Sequence, residues 1–312
     1  MALVTNTSGV IYIDTYFESG QILNLYNNHL QNHTAIINAA SRSSFVPSHW
    51  GPTSLKFSLS GEEKYTLDRR QYAVNLDHFL ILNEGSEYAT TIDSNDDVHI
   101  FTINFSKEFS INAFRQPEIS RIFLDELKTE ENNQPEFVEK LFPFENSWKS
   151  EILDIKELVE SRLGSASLEL DEKLNLLFGK MAHAHNDCLN EISHLSLKKK
   201  STRIELYRRL CFVKDYIHSN FKKELTLKEL SHVGLLSEFY LIRHYKQLFS
   251  LTPFEYLIQL RMQKAHALIA CTDLPVQTVC NMVGYNDHSS FSKLFKKHFH
   301  LPPAKLRLLT RN

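Results

Sequence analysis

The chain has 312 residues, 42% hydrophobic and 23% charged, which is an ordinary globular balance and length enough for two domains with separate cores. No apolar run approaches the roughly 18 residues that cross a bilayer, and Met1 to Gly20 lacks the basic start and apolar stretch of a secretory signal. Cys188, Cys211, Cys271 and Cys280 show no close pairing, so reduced thiols and a cytoplasmic location are expected. The net charge of −2 conceals a split: residues 196–312 hold 20 Lys and Arg against 8 Asp and Glu (net +12), while 1–195 hold 15 against 29 (net −14). A basic half of this kind suits a polyanion.

In chain order, Val10 to Phe109 predicts β-structure. Alternating runs such as Ser54-Leu55-Lys56-Phe57-Ser58-Leu59 and the run from Val98 to Phe105 are bounded by turn signals at 60–63 and 83–86. Such a succession of short strands favours an antiparallel barrel or jelly roll. Residues 110–147 read as irregular, with a polar surface loop from Lys128 to Gln134. Helical periodicity starts near Trp148, where Ile152, Ile155, Val159 and Leu163 share a face. A second helix over 168–195 spaces Leu174, Met181, Cys188 and Leu195 sevenfold, with Phe178, His185 and Ile192 each four residues on. That a/d seam fits either a dimer contact or packing on the chain's own β-domain. Residues 196–202 read as a linker.

From Ile204 onward the chain reads as helical. Leu206, Leu210, Val213 and Ile217 form the first apolar stripe. Thr226-Leu-Lys-Glu229 is a capping box opening a short helix that breaks at Gly234. Ser237 caps a third helix whose inward residues are Leu241, Tyr245 and Leu248, and Thr252-Pro253-Phe254-Glu255 opens a long fourth helix. A shift of 50 residues then superposes Val233-Gly234 on Val283-Gly284, Arg243 on Lys293, Tyr245-Lys246 on Phe295-Lys296, Phe249 on Phe299, and the Pro253 turn on Pro303. A repeated short helix, tight turn and longer basic helix is the layout of two helix-turn-helix units, over about 226–249 and 275–299. Each unit's second helix enters the major groove of double-stranded DNA. The connecting helix, about 28 Å long at a rise of 1.5 Å per residue, can hold two such helices about one DNA turn apart.

In the first unit Glu238, Phe239, Ile242, Arg243 and Lys246 point outward. In the second, Phe291, Phe295 and Phe299 form the inward stripe and His288, Ser289, Ser292 and Lys293 are base-edge candidates. Arginine bonds guanine bidentately and apolar groups meet thymine methyls. Lys246, Lys296 and Lys297 suit phosphates, which position a protein without carrying sequence information. Cys280, between Val276 and Val283, reads as a buried core residue.

The stretch Val283-Gly-Tyr-Asn-Asp-His-Ser-Ser-Phe-Ser-Lys-Leu-Phe-Lys-Lys-His-Phe, with Arg261-Met-Gln-Lys-Ala-His-Ala-Leu-Ile and Leu301-Pro-Pro at matching distances, resembles the AraC/XylS family over about 205–308. Leu235, Ser250 and His300 depart from it, standing where glycine is usual. The resemblance puts base-reading positions of the first unit on Phe239, Ile242 and Arg243. It implies a transcription regulator, not an enzyme, with no catalytic residues and no cofactor. Residues 51–104, with a strand-turn-strand over Gln71 to Glu87, look like the cupin-type sensor barrel of that family, which binds a small effector, mediates dimerisation, or both.

The whole reading is an α+β chain. Residues 1–147 form an N-terminal antiparallel cupin-like β-barrel, 148–195 a helical linker or dimerisation segment, and 204–312 an all-α DNA-binding domain. Expected partners are double-stranded DNA, a small effector, a second copy of the chain, and RNA polymerase if it activates. The rival reading is a metal-dependent cupin enzyme or an interaction module carrying a DNA-binding tail. His29, His33, His49, His78 and His99 lack tight ligand spacing, so no metal is expected. A fused DNA-repair methyltransferase would need clustered cysteines ahead of Cys188. Phe45, Trp50, Phe57, Tyr65, Tyr72 and Phe79 either line an apolar pocket or fill the barrel core.

Overall fold

A computed structural model describes residues 3–7, 10–16, 33–67, 70–123, 136–161 and 167–310. His29, Leu163 and the predicted loop from Lys128 to Gln134 lie outside these residues. The chain divides into two compact units, Met1–Asn190 and Glu191–Asn312, each described by itself.

Among the described residues of the first unit, nine strands form one sheet: β1 (Leu3–Thr7), β2 (Val10–Tyr16), β3 (Thr34–Trp50), β4 (Ser54–Ser60), β5 (Glu63–Leu67), β6 (Arg70–Val74), β7 (His78–Leu82), β8 (Glu87–Asn104) and β9 (Leu141–Pro143). The order is β1-β2-β3-β8-β4-β7-β9, with β5 joined to β6 and β8. The pairing is antiparallel except between β2 and β3, which run parallel, a departure from the all-antiparallel expectation. Two register shifts between β3 and β8 bend these long strands, so β8 pairs with β5 over 88–91 and with β4 over 99–104. Turn glycines Gly61 and Gly85 take φ +72° and +80° where the sequence placed turns.

Strand alternation sorts the side chains. Ile11, Ile13, Ala35, Ile37, Ala39, Ile92, Val98 and Ile100 form one buried cluster. A second, aromatic one packs Phe79 at 5.0 Å from Phe57 and 4.5 Å from Trp148. Of the six aromatic residues proposed as pocket or core, Phe57, Tyr65, Tyr72 and Phe79 are buried, whereas Phe45 (58% exposed) and Trp50 (73%) lie at the surface. Val46 takes the inward place, and period-2 alternation turns its neighbour Phe45 outward.

Residues 110–147 are more ordered than predicted: helices α1 (Lys107–Phe114) and α2 (Pro117–Ile122) and strand β9 fall there. Their signals are local, with Ser106 accepting from Phe109 N and Pro117 at a first helical position, and these stretches are too short to show a period. Helices α3 (Asn146–Ser161) and α4 (Ser167–Ser193) follow. The α4 seam from Leu174 to Cys188 is buried inside its own unit. Phe178 meets Phe105, Phe114 and Phe137 within 5.1–5.6 Å, and His185 stacks on Phe123 at 4.7 Å while accepting from Val138 N. Of the two readings of the seam, this stretch follows internal packing.

In the second unit the helices are α5 (Lys200–Asn220), α6 (Leu227–Gly234), α7 (Glu238–Phe249), α8 (Pro253–Cys271), α9 (Val276–Met282), α10 (His288–Phe299) and α11 (Pro303–Thr310). Helix α5 begins within the predicted linker, taking in Lys200, Ser201 and Thr202. Both capping boxes form, with Thr226 and Thr252 accepting from Glu229 N and Glu255 N at 3.1 and 3.3 Å. Met262, Ala265, Ile269, Val279, Cys280, Val283, Phe291, Phe295 and Leu306 make the core around α8–α11. Cys188, Cys211 and Cys280 are buried, and Cys271 is exposed. Among the described residues no helix is long and apolar enough to cross a membrane.

Leu235, Ser250 and His300 adopt φ +51°, +61° and +59°, each ending a helix in the left-handed region. A side chain there costs roughly 1–2 kcal/mol, partly offset in glycine by its larger unfolded-state entropy. Each single change to glycine is therefore expected to stabilise the unit by about 0.5–1 kcal/mol, read as a raised denaturation midpoint. No gain at any of the three would show the strain already relieved by local contacts.

Candidate nucleic-acid interface

The two helix-turn-helix units share a plan but turn differently. Gly234, aligned with Gly284 by the 50-residue shift, lies inside α6, and the left-handed residue of the first unit is Leu235. The first helix and turn of each unit thus sit one residue out of the register that the second helices keep. Gly234 is small because of packing, since a Cβ there would stand 2.8 Å from Val213 Cγ2. Gly284 needs φ +83°.

The first unit is braced from α5. Tyr216 donates to Glu229 Oε1 at 2.6 Å, an acceptor that pushes its phenol pKa up to about 12. Arg209 donates to Leu235 O at 3.0 Å. Ser237 accepts from Tyr240 N to start α7, which buries Leu241, His244 and Tyr245. Leu248 is half-buried. Burial pushes His244 below the usual imidazole range, so this helix carries its positive charge on other residues. Glu238, Phe239, Ile242, Arg243 and Lys246 are all exposed, as the periodicity predicted.

Helix α10 is capped by Asp287, which accepts from Ser289 N and Ser290 N at 3.0 Å each. Those bonds from Ser290 and Ser289 hold its carboxyl below the usual carboxylate range. Phe291 and Phe295 are buried and Phe299 half-buried, 4.7 Å from His266. His288, Ser289, Lys293, Lys296 and Lys297 are exposed, and Ser292 is half-buried. Each helix therefore gathers its predicted contact residues on one outward face. Positions i, i+3, i+4 and i+7 of that face are Phe239, Ile242, Arg243 and Lys246 in α7, and Ser289, Ser292, Lys293 and Lys296 in α10.

Sequence reasoning did not find the junction at Arg261. From α8 its guanidinium donates to Phe221 O and Lys223 O, both at 2.7 Å, and lies 5.1 Å from the Tyr285 ring centroid. One signal was available: no carboxylate stands three or four residues from Arg261, so no ion pair along its own helix competes for the guanidinium.

Among the described residues no three His, Cys, Asp or Glu side chains gather as a metal site would require.

Residues 232–308 match the model of a family described as a helix-turn-helix domain. The chain is 31% identical over 121 residues to the Msm operon regulatory protein of Streptococcus mutans serotype c, spanning 39% of this chain and 42% of that protein. It is 20% identical over 273 residues to an uncharacterized helix-turn-helix transcriptional regulator, YdeC, of Bacillus subtilis, spanning 84% of this chain and 86% of that one. Among solved structures it is similar to the C-terminal domain of the two-component response regulator yesN of Fusobacterium nucleatum. That match has 31% identity and a TM-score of 0.30, and covers 30% of this chain and 93% of that one. Residues 232–308, with their paired and capped short-helix, turn, longer-helix units, are therefore a helix-turn-helix domain, similar over that stretch to those of transcriptional regulators.

Proposed function

We propose that α7 and α10 lie in successive major-groove segments of double-stranded DNA. Phe239, Ile242, Arg243, His288, Ser289, Ser292 and Lys293 then face base edges, and Lys246, Lys296 and Lys297 hold phosphates. The observation that carries this reading is the repeated outward face, where a basic pair recurs at the same two helical positions 50 residues apart. The domain limits are 1–147, 148–195 and 204–312, and the protein acts in the cytoplasm.

The β-rich unit is a cupin-like barrel that supplies control, through a small effector, dimerisation, or both. Support for curvature comes from the register shifts that let β8 serve both β4 and β5. A place for a small effector is offered by an open cleft of about 620 Å³, lined by Asp14, Asn38, His99 and Lys156 together with Ala39, Ala40 and Leu59. A homodimer is the working form, touching RNA polymerase where it activates. The likeness to the Msm operon regulatory protein suggests that this chain, too, governs an operon.

Arg243→Ala is expected to cost about 1–3 kcal/mol on the cognate site and little on random duplex. Lys296→Ala should weaken both and lower the salt slope by about one. Titration of both variants at several salt concentrations checks this. Equal losses on the two DNAs for Arg243→Ala would make it a phosphate contact.

A further inference from the structure

The two reading helices keep the 50-residue register from cap to cap, Ser237 to Asp287 and Ser250 to His300. Their outward faces can therefore be compared position by position. The basic pair is kept: Arg243 and Lys246 in α7 stand where Lys293 and Lys296 stand in α10. The other two positions change chemistry. Phe239 and Ile242 in α7 correspond to Ser289 and Ser292 in α10. Phe239 is 75% exposed and Ile242 37% exposed, beside two exposed cations. Large apolar side chains in that setting gain only if a partner removes them from water. In the major groove the thymine C5-methyl is the apolar group offered by a base edge, whereas a serine hydroxyl can bond several edges.

Resting on the groove-facing assignment above, we infer that the first unit reads thymine methyl groups through Phe239 and Ile242, and that the second reads polar base edges. A tandem repeat in the protein thus recognises two chemically different half-sites, and the thymine-bearing one fixes which way the chain lies on the duplex. Arg243, four residues from Phe239, adds a guanine contact beside the thymines.

The test uses the full chain and a site selected from randomised duplex. Each thymine of that site is replaced in turn by deoxyuridine, which removes only the methyl. The expected result is a loss of about fourfold per contacted methyl, the ~0.8 kcal/mol of one buried methyl-sized group, confined to one half-site. In the Phe239→Ser, Ile242→Ser variant the same half-site should bind equally with thymine or deoxyuridine, while contacts to the other half-site persist as an internal control. Both substituted positions are exposed, so an unchanged melting temperature is expected alongside. Indifference to every deoxyuridine, equal losses in both half-sites, or undiminished methyl sensitivity in the variant would overturn the inference. A selection that enriches no sequence would overturn the groove-reading assignment itself, and this inference with it.

Discussion

Gly284→Ala is expected to destabilise the second helix-turn-helix unit by about 3 kcal/mol or more and to remove its contribution to DNA binding. Two costs add. At φ +83° an alanine pays roughly 1–2 kcal/mol for the left-handed backbone. Its Cβ would also stand 2.6 Å from Lys222 O and 3.0 Å from Arg261 Nη2. The first of these is backbone and cannot swing away, so the 221–223 turn must move off the guanidinium that holds it. Gly85→Ala is the control, because Gly85 has φ +80° and a Cβ there would meet nothing within 4 Å, which leaves only the backbone cost. Chemical denaturation of the two variants should therefore differ by about 2 kcal/mol, the steric share. Equal losses would mean that the Lys222 contact relaxes freely.

Arg261→Ala is expected to cost about 2–3 kcal/mol, since hydrogen bonds from a charged donor are worth roughly 1.5–3 kcal/mol and two carbonyls lose theirs together. The Tyr285 ring loses its cation as well. Arg261→Lys should recover less than half, because one ammonium cannot span Phe221 O and Lys223 O in the fork geometry. Because Gly284 and Arg261 meet at the same turn, the double substitution should cost clearly less than the sum of the singles. Strict additivity would separate the two sites and refute the shared junction.

These two residues mark where sequence reading ended. Both capping boxes were legible because Thr and Glu three residues apart satisfy helix-start amides by local geometry alone. The outward faces of α7 and α10 were legible because a 3.6-residue period leaves them no other side. Gly234 and Gly284 looked like one repeated feature, and only backbone conformation showed one serving a close approach to Val213 and the other a left-handed turn. The α4 seam is another such case, since a sevenfold apolar row has the same spacing whether it meets a second copy or Phe123 and Phe137 of its own unit.

What the sequence determined by itself is the layout of the helical half: its caps and basic outward faces, which rest on residues within a few turns of one another, and its repeat, which a 50-residue shift makes visible without any structure. The tertiary structure decided what depends on distant partners. It paired β2 with β3 in parallel, turned Phe45 and Trp50 outward, buried the α4 row, and brought Arg261 to the carbonyls of Phe221 and Lys223 some forty residues earlier in the chain. Period and capping are properties of one element, but register, burial and a guanidinium's choice of acceptor are settled only when elements meet.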